Sequence, residues 1–181
     1  AGEVWGMVQA VPMFIEALNG LDIQVYLILR DHPKVTSVNA PDEFRRIYLE
    51  YHKALIKLEV GKIVDSKELT SDEVNAGADI VVGISSTMLV EACYMHKPVL
   101  HIWTPEIGEV FFKVTGNTFA QMPTTSLGAA FKAESVVEIQ DCLRRIIAGD
   151  TRATLEAQKK YFRADGLNGQ RVAEAILNYY Y

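Results

Sequence analysis

The sequence predicts an α/β fold with an open, doubly wound, mainly parallel sheet, on three observations. Apolar runs of strand length alternate with segments of helical periodicity. Successive strands are separated by a dozen residues or more, the length that a parallel crossover needs. Residues 80–84 and 98–103 are nearly continuous apolar runs, as in strands covered on both faces. At 181 residues, the whole chain, 1–181, is expected to form one domain.

Val4, Met7, Val8, Val11, Phe14, Ile15 and Leu18 recur at helical spacing, with Pro12 as a kink and Asn19-Gly20 as the end. Residues 22–29 are β-branched and apolar and predict a strand stopped by Arg30-Asp31-His32-Pro33. Residues 39–43 offer an N-cap side chain, a first-turn proline and acids at the positive end of a helix dipole. Phe44, Tyr48, Tyr51, Leu55 and Leu58 then step by three and four and carry that helix to about 58. A short strand follows at 60–64, a short helix capped by Ser71 at 71–76, a strand at 80–84, a helix at 85–95 and a strand at 98–103. No regular element is predicted from there until an edge strand within 128–132. Val136, Ile139, Leu143 and Ile146 mark a helix ended by Gly149, and helices at about 150–162 and 168–179 flank the Asp165-Gly166 turn. Domains of this class usually begin with a strand, whereas this sequence opens on a helix, so a fragment is the preferred expectation.

Composition narrows the partners. With 49% hydrophobic and 23% charged residues the chain can build a core, and it is neither disordered nor fibrous. Eighteen Lys and Arg against 23 Asp and Glu leave a net charge of −5, which disfavours binding nucleic acid through a basic face. A small anion held by a few local groups remains compatible. The apolar runs fall far short of the roughly 20 residues of a bilayer span, and the first residues lack a signal-peptide pattern, so the expected compartment is the cytoplasm. Two cysteines, Cys93 and Cys142, lie in helical segments, which argues against a disulfide framework or a cysteine metal site.

In an open parallel sheet, ligands bind beyond the carboxyl ends of the strands. Four such ends are legible, at 30–34, 65–69, 85–87 and 103–109, and the polar residues converge on them. Ser85-Ser86-Thr87 joins a buried strand directly to a helix, offering N–H groups and hydroxyls to an anion, with helix capping as the competing role. Glu91 lies one turn beyond Thr87, where a carboxylate can accept hydrogen bonds from a ribose diol; a solvated helix glutamate is the competing role, and the flanking Leu89, Val90, Ala92 and Cys93 weigh against it, because an idle charge on a mostly buried helix is costly. His32 can donate to a diphosphate or a leaving group and Lys34 can add a point charge; a bland loop histidine is the alternative. His52, His96 and His101 read as structural, and no spacing of His, Asp and Glu suggests a metal site. GxGxxG, GxxxxGK[ST] and GxSxG are all absent, which removes the usual anchors of nicotinamide, P-loop and α/β-hydrolase chemistry.

These residues resemble the C-terminal, donor-binding domain of two-domain GT-B glycosyltransferases and the related sugar-nucleotide 2-epimerases. The likeness spans about residues 4–178. It rests on Leu29-Arg30-Asp31-His32-Pro33, on Ala78-Asp79 leading through the strand to Ser85-Ser86-Thr87 with Glu91-Ala92, on Lys97-Pro98-Val99-Leu100, and on Asp165-Gly166 with Gln170-Arg171-Val172-Ala173. His32-Pro33 also resembles the polyol-phosphate transferases that use CDP-glycerol. The resemblance implies a Rossmann-like, C-terminal GT-B half that binds a nucleoside diphosphate or nucleotide sugar. Ser85, Ser86 and Thr87 would hold the diphosphate, Glu91 the ribose hydroxyls, Lys34 would assist, and His32 would act on the diphosphate or the leaving oxygen. Where many members have Ser-Gly-Gly, this chain has Ser85-Ser86-Thr87, which loosens backbone approach to phosphate. The implied activity is transfer of a sugar or polyol-phosphate group, in surface polysaccharide synthesis, with no cofactor and no required metal. A 2-epimerase and a non-enzymatic nucleotide-binding module are the alternatives. An absent N-terminal domain would supply the acceptor and much of the catalytic machinery, leaving the isolated chain inactive, and the helix at 168–179 would resemble the one that packs back toward that domain.

Overall fold

The computed structural model describes residues 2–31, 39–66, 68–116 and 121–180. Helix α1 (Gly2–Asn19) leads into β1 (Val25–Leu29), α2 (Asp42–Leu55) and β2 (Gly61–Asp65). Then come α3 (Ser71–Gly77), β3 (Val81–Gly83), α4 (Thr87–Tyr94) and β4 (Val99–Ile102). The remainder is α5 (Pro105–Thr115), α6 (Pro123–Ser126), β5 (Phe131–Ala133), α7 (Val136–Ile147), α8 (Arg152–Tyr161) and α9 (Asn168–Tyr180). No helix among the described residues is long and apolar enough to cross a membrane.

All strand pairs are parallel, as the crossover lengths require, but they build two small sheets rather than the single doubly wound sheet expected. β1 pairs with β2 in the register Val25 to Gly61, and β3, β4 and β5 pair in that order, with Val81 opposite Val99 and Leu100 opposite Phe131. No ladder joins β1 to β3.

Side-chain alternation puts helices on both faces of the three-stranded sheet. Leu100 and Ile102 of β4 join a core with Ala10, Val11, Ile15 and Leu18 of α1, Ile107 of α5, and Ile139, Leu143 and Ile146 of α7. Val99 and Val81 face the other way, into a smaller core with Leu89, Ala92 and Cys93 of α4 and Phe162 at the end of α8. Ile47, Tyr51, Ala54 and Leu55 of α2 extend the first core toward β1.

Several predicted boundaries move for identifiable reasons. Pro41, expected in the first turn, itself occupies the N-cap of α2 and makes no side-chain capping bond; the helix ends at Leu55, three residues early. The cap of α3 is Thr70, not Ser71: its hydroxyl accepts from the Glu73 N–H while the Glu73 carboxylate accepts from the Thr70 N–H, a reciprocal capping box. α5 and α6 fall in the stretch expected to be irregular. Thr104 caps α5 by accepting from the Ile107 N–H at 3.2 Å, Pro105 opens it, and Gly116 closes it in the left-handed region at φ +72°. α9 forms as predicted but leaves Val172, Ile176, Leu177 and Tyr179 exposed.

Gly61 is the tightest glycine in the sheets. A Cβ there would lie 2.0 Å from the Val25 carbonyl oxygen, a backbone atom that cannot swing aside. Gly61→Ala is expected to cost about 2–3 kcal/mol and to lower the melting temperature by roughly 5–10 °C. Gly77→Ala, where nothing lies within 4 Å, serves as the control and should leave the melting temperature unchanged or slightly raised. Equal melts for the two variants would show that β2 does not pair in this register.

Candidate functional site

A cleft of about 1130 Å³ opens where β1 and β3 part. Its walls are apolar over most of their depth, from Met7, Val11 and Phe14 of α1 to the strands themselves, and polar groups collect at the carboxyl ends of β1 and β3. There Arg30, Asp31, Ser85, Ser86 and Thr87 share the lining. Two of the four predicted strand ends therefore meet.

Ser86 is the N-cap of α4, its hydroxyl accepting from the Met88 N–H at 3.3 Å, and its carbonyl takes the Leu89 N–H at 3.1 Å. Capping thus occupies the Ser86 side chain, and Thr87 is left exposed as the first helical residue, at the positive end of the dipole. Ser85 is half-buried. Glu91 is not among the residues lining the cleft; its Oε2 is buried and has no hydrogen-bond partner among the described residues. His32 and Lys34 lie outside the described residues.

The third strand end is tied to the first. Arg30 donates from Nη1 to the carbonyls of Ser66 and Leu69 at 3.1 and 2.6 Å, and the Ser66 hydroxyl donates to the Leu29 carbonyl at 2.6 Å. Among the described lining residues Arg30 is the only cation. The fourth end does not line the cleft: Thr104 is buried, caps α5 and donates to Gln9 Oε1 of α1 at 3.3 Å.

Four contributors were missed by sequence reasoning. Asp31 accepts from the Tyr51 hydroxyl at 2.7 Å and lies 3.2 Å from Nε2 of His52. Burial, reinforced by the bond to Asp31, pushes the Tyr51 hydroxyl far above its ordinary value, so it remains a donor. Asn75 of α3 is fully buried and borders the cleft; its Nδ2 donates to the Met88 carbonyl at 3.0 Å, and its buried Oδ1 has no hydrogen-bond partner among the described residues. An Asn inside a seven-residue helix was the available signal, since that residue type disfavours helix interiors.

His101 is structural, as expected, but its structural role is specific. Its Nδ1 lies 2.7 Å from the Ile84 carbonyl oxygen, which only accepts, so Nδ1 carries the proton. Nε2 then accepts from the Thr124 hydroxyl at 2.8 Å. The ring thereby holds the backbone one residue before Ser85. Cys93 is buried against the Ala129 carbonyl and its thiol is pushed up to about 11 by burial, so it is no nucleophile. Among the described residues no group of three or more His, Cys, Asp or Glu gathers to hold a metal ion.

Comparisons with protein-family models, with curated proteins and with solved structures find nothing that matches this chain.

Burial lowers the His101 pKa from 6.5, partly offset by the bond to Ile84. The unfolded chain therefore takes up the proton first as pH falls, and the stability contributed by neutral His101 is complete above about pH 6.5 and is lost as pH drops toward the depressed folded value. The melting temperature should fall between pH 7.5 and 5.5, and His101→Asn, which keeps an N–H donor but does not titrate, should show a shallower fall. Identical slopes would mean that the ring does not need to stay neutral.

Proposed function

We propose that this chain binds the nucleoside diphosphate portion of a nucleotide-activated donor at the cleft mouth. It would act as the Rossmann-like donor half of a GT-B transferase that moves a sugar or polyol-phosphate group in surface polysaccharide synthesis. The observation that carries this reading is the meeting of the β1 and β3 carboxyl ends on one cleft, with Arg30 on one side and the amino end of α4 on the other. An anion there would gain a guanidinium and the positive end of a helix dipole. In this reading Ser85 and Thr87 contact the diphosphate and His32 and Lys34, which follow β1 in the sequence, assist; Glu91, whose Oε2 is buried and which does not line the cleft, is not assigned the ribose hydroxyls.

The sugar or polyol-phosphate group would pass to the acceptor while the nucleoside diphosphate or monophosphate departs as the stabilised leaving group, so positioning and charge stabilisation supply the rate. The expected result of calorimetry with UDP, CDP and GDP is measurable binding of at least one. Thr87→Asp provides the discriminating variant, because a carboxylate at that position favours the helix and repels a phosphate. It should weaken diphosphate binding at least about tenfold while leaving the melting temperature unchanged or higher. If none of the three nucleotides binds at millimolar concentration, or if Thr87→Asp binds as well as the parent, the reading is wrong.

A further inference from the structure

We propose that the cleft between the two sheets receives one further β-strand, parallel to β1 and β3 and continuous with α1, which joins them into a single sheet of order β2-β1-strand-β3-β4-β5. The inference rests on backbone geometry and is independent of the nucleotide reading.

Both walls present free strand edges. The Val25 N–H donates to the Val60 carbonyl and the Val81 N–H to the Pro98 carbonyl, so Val25, Leu27 and Leu29 bond to β2, and Val81 and Gly83 to β4. Alternation then turns the backbone N–H and C=O of Tyr26, Ile28 and Val82 toward the cleft. Edges of this kind are templates for another strand.

The side chains around the gap match a central strand. Leu27, Ile28, Leu29, Ile80 and Val82 are half-buried although they sit mid-molecule, because the gap leaves one flank of each uncovered. Met7, Val11 and Phe14 of α1 cover one face of the gap and Val74 of α3 contributes to its lining, so an occupant needs apolar side chains on both faces, as buried parallel strands have.

The direction of α1 identifies the source. Its amino end lies at the carboxyl edge of the sheets: a Cβ on Gly6 would touch Ile84 Cδ1 at 2.8 Å, and Gln9 accepts from Thr104. Its carboxyl end lies at the amino edge, where Asn19 bonds to the Lys57 carbonyl and the Glu59 N–H ahead of β2. α1 therefore runs antiparallel to the strands, as a crossover helix does. A parallel strand in the cleft would finish at the edge where α1 starts, within reach of a short βα turn.

The test fuses Lys-Val-Ile-Val-Val-Thr to Ala1 through Gly-Asn-Gly and follows amide exchange by NMR together with thermal melting. A control carries proline at the third and fifth positions of the strand, which cannot donate to a ladder. We expect exchange at Tyr26, Ile28 and Val82 to slow by at least about a hundred-fold and the melting temperature to rise, with neither change in the control. Should the fusion fail to fold, the same six residues added as a free peptide to the unextended chain give the second measurement. Lack of protection at these amides in both formats overturns the proposal. So does protection already present in the unextended chain, which, if concentration-dependent, would assign the edges to a second copy and, if not, to direct pairing of β1 with β3.

Discussion

Among the described residues no strand ladder links the two sheets, so their relation depends on the apolar stripe of α1. Ala10, Val11, Ile15, Ala17 and Leu18 are all buried in it, and the same helix packs on α2, α5 and α7. Full burial of an aliphatic side chain of Val, Leu or Ile size is worth about 1.5–3 kcal/mol, so a handful of such contacts outweighs any single polar contact at the strand ends. Gly6 lets the amino end of the helix approach Ile84, and Asn19 pins the other end to the segment ahead of β2. The polar site inherits its geometry from this packing, because Ile84 and Leu29, which belong to or pack against the same core, immediately precede Ser85 and Arg30.

On that scaffold, buried polar groups do the finer positioning. His101 spans from the Thr124 hydroxyl to the Ile84 carbonyl and so fixes the end of β3 against β4 and the segment containing α6. Tyr51 does the same at β1, reaching from α2 to Asp31. In each case a buried polar side chain is tolerated because its partner is supplied, whereas leaving either group unpaired would cost about 1–3 kcal/mol. Asn75 Oδ1, Glu91 Oε2 and Gln158 Oε1 break this rule among the described residues, and the first two lie on the helices flanking the Ser85–Thr87 turn.

The cleft has two chemically distinct parts. Its mouth carries a guanidinium, hydroxyls and a helix amino end, suited to an anion; its depth is walled by strand edges and aliphatic side chains, suited to an apolar strand. A strand in the depth would bury the half-exposed flanks of β1 and β3 and bring the turn ahead of α1 up to the polar groups.

The sequence by itself determined the alternation of helices and strands, the parallel pairing and the identity of the Ser85–Thr87 turn. Those features follow from hydrophobic period, crossover length and the joining of an apolar run to a helix start, all local in the chain. Local signals were misread where two candidates adjoined, as with Thr70 and Ser71, or where a Thr-Pro start at Thr104 was passed over in an apolar stretch. Only the tertiary structure decided that β1 and β3 stand apart, that Arg30 turns to the loop after β2, that Asp31 is held by Tyr51, and that Asn75 borders the cleft while Glu91 does not. Each of these depends on residues 13 or more positions apart or on the distance between two sheet edges, and hydrophobic periodicity carries no information about which free edges meet.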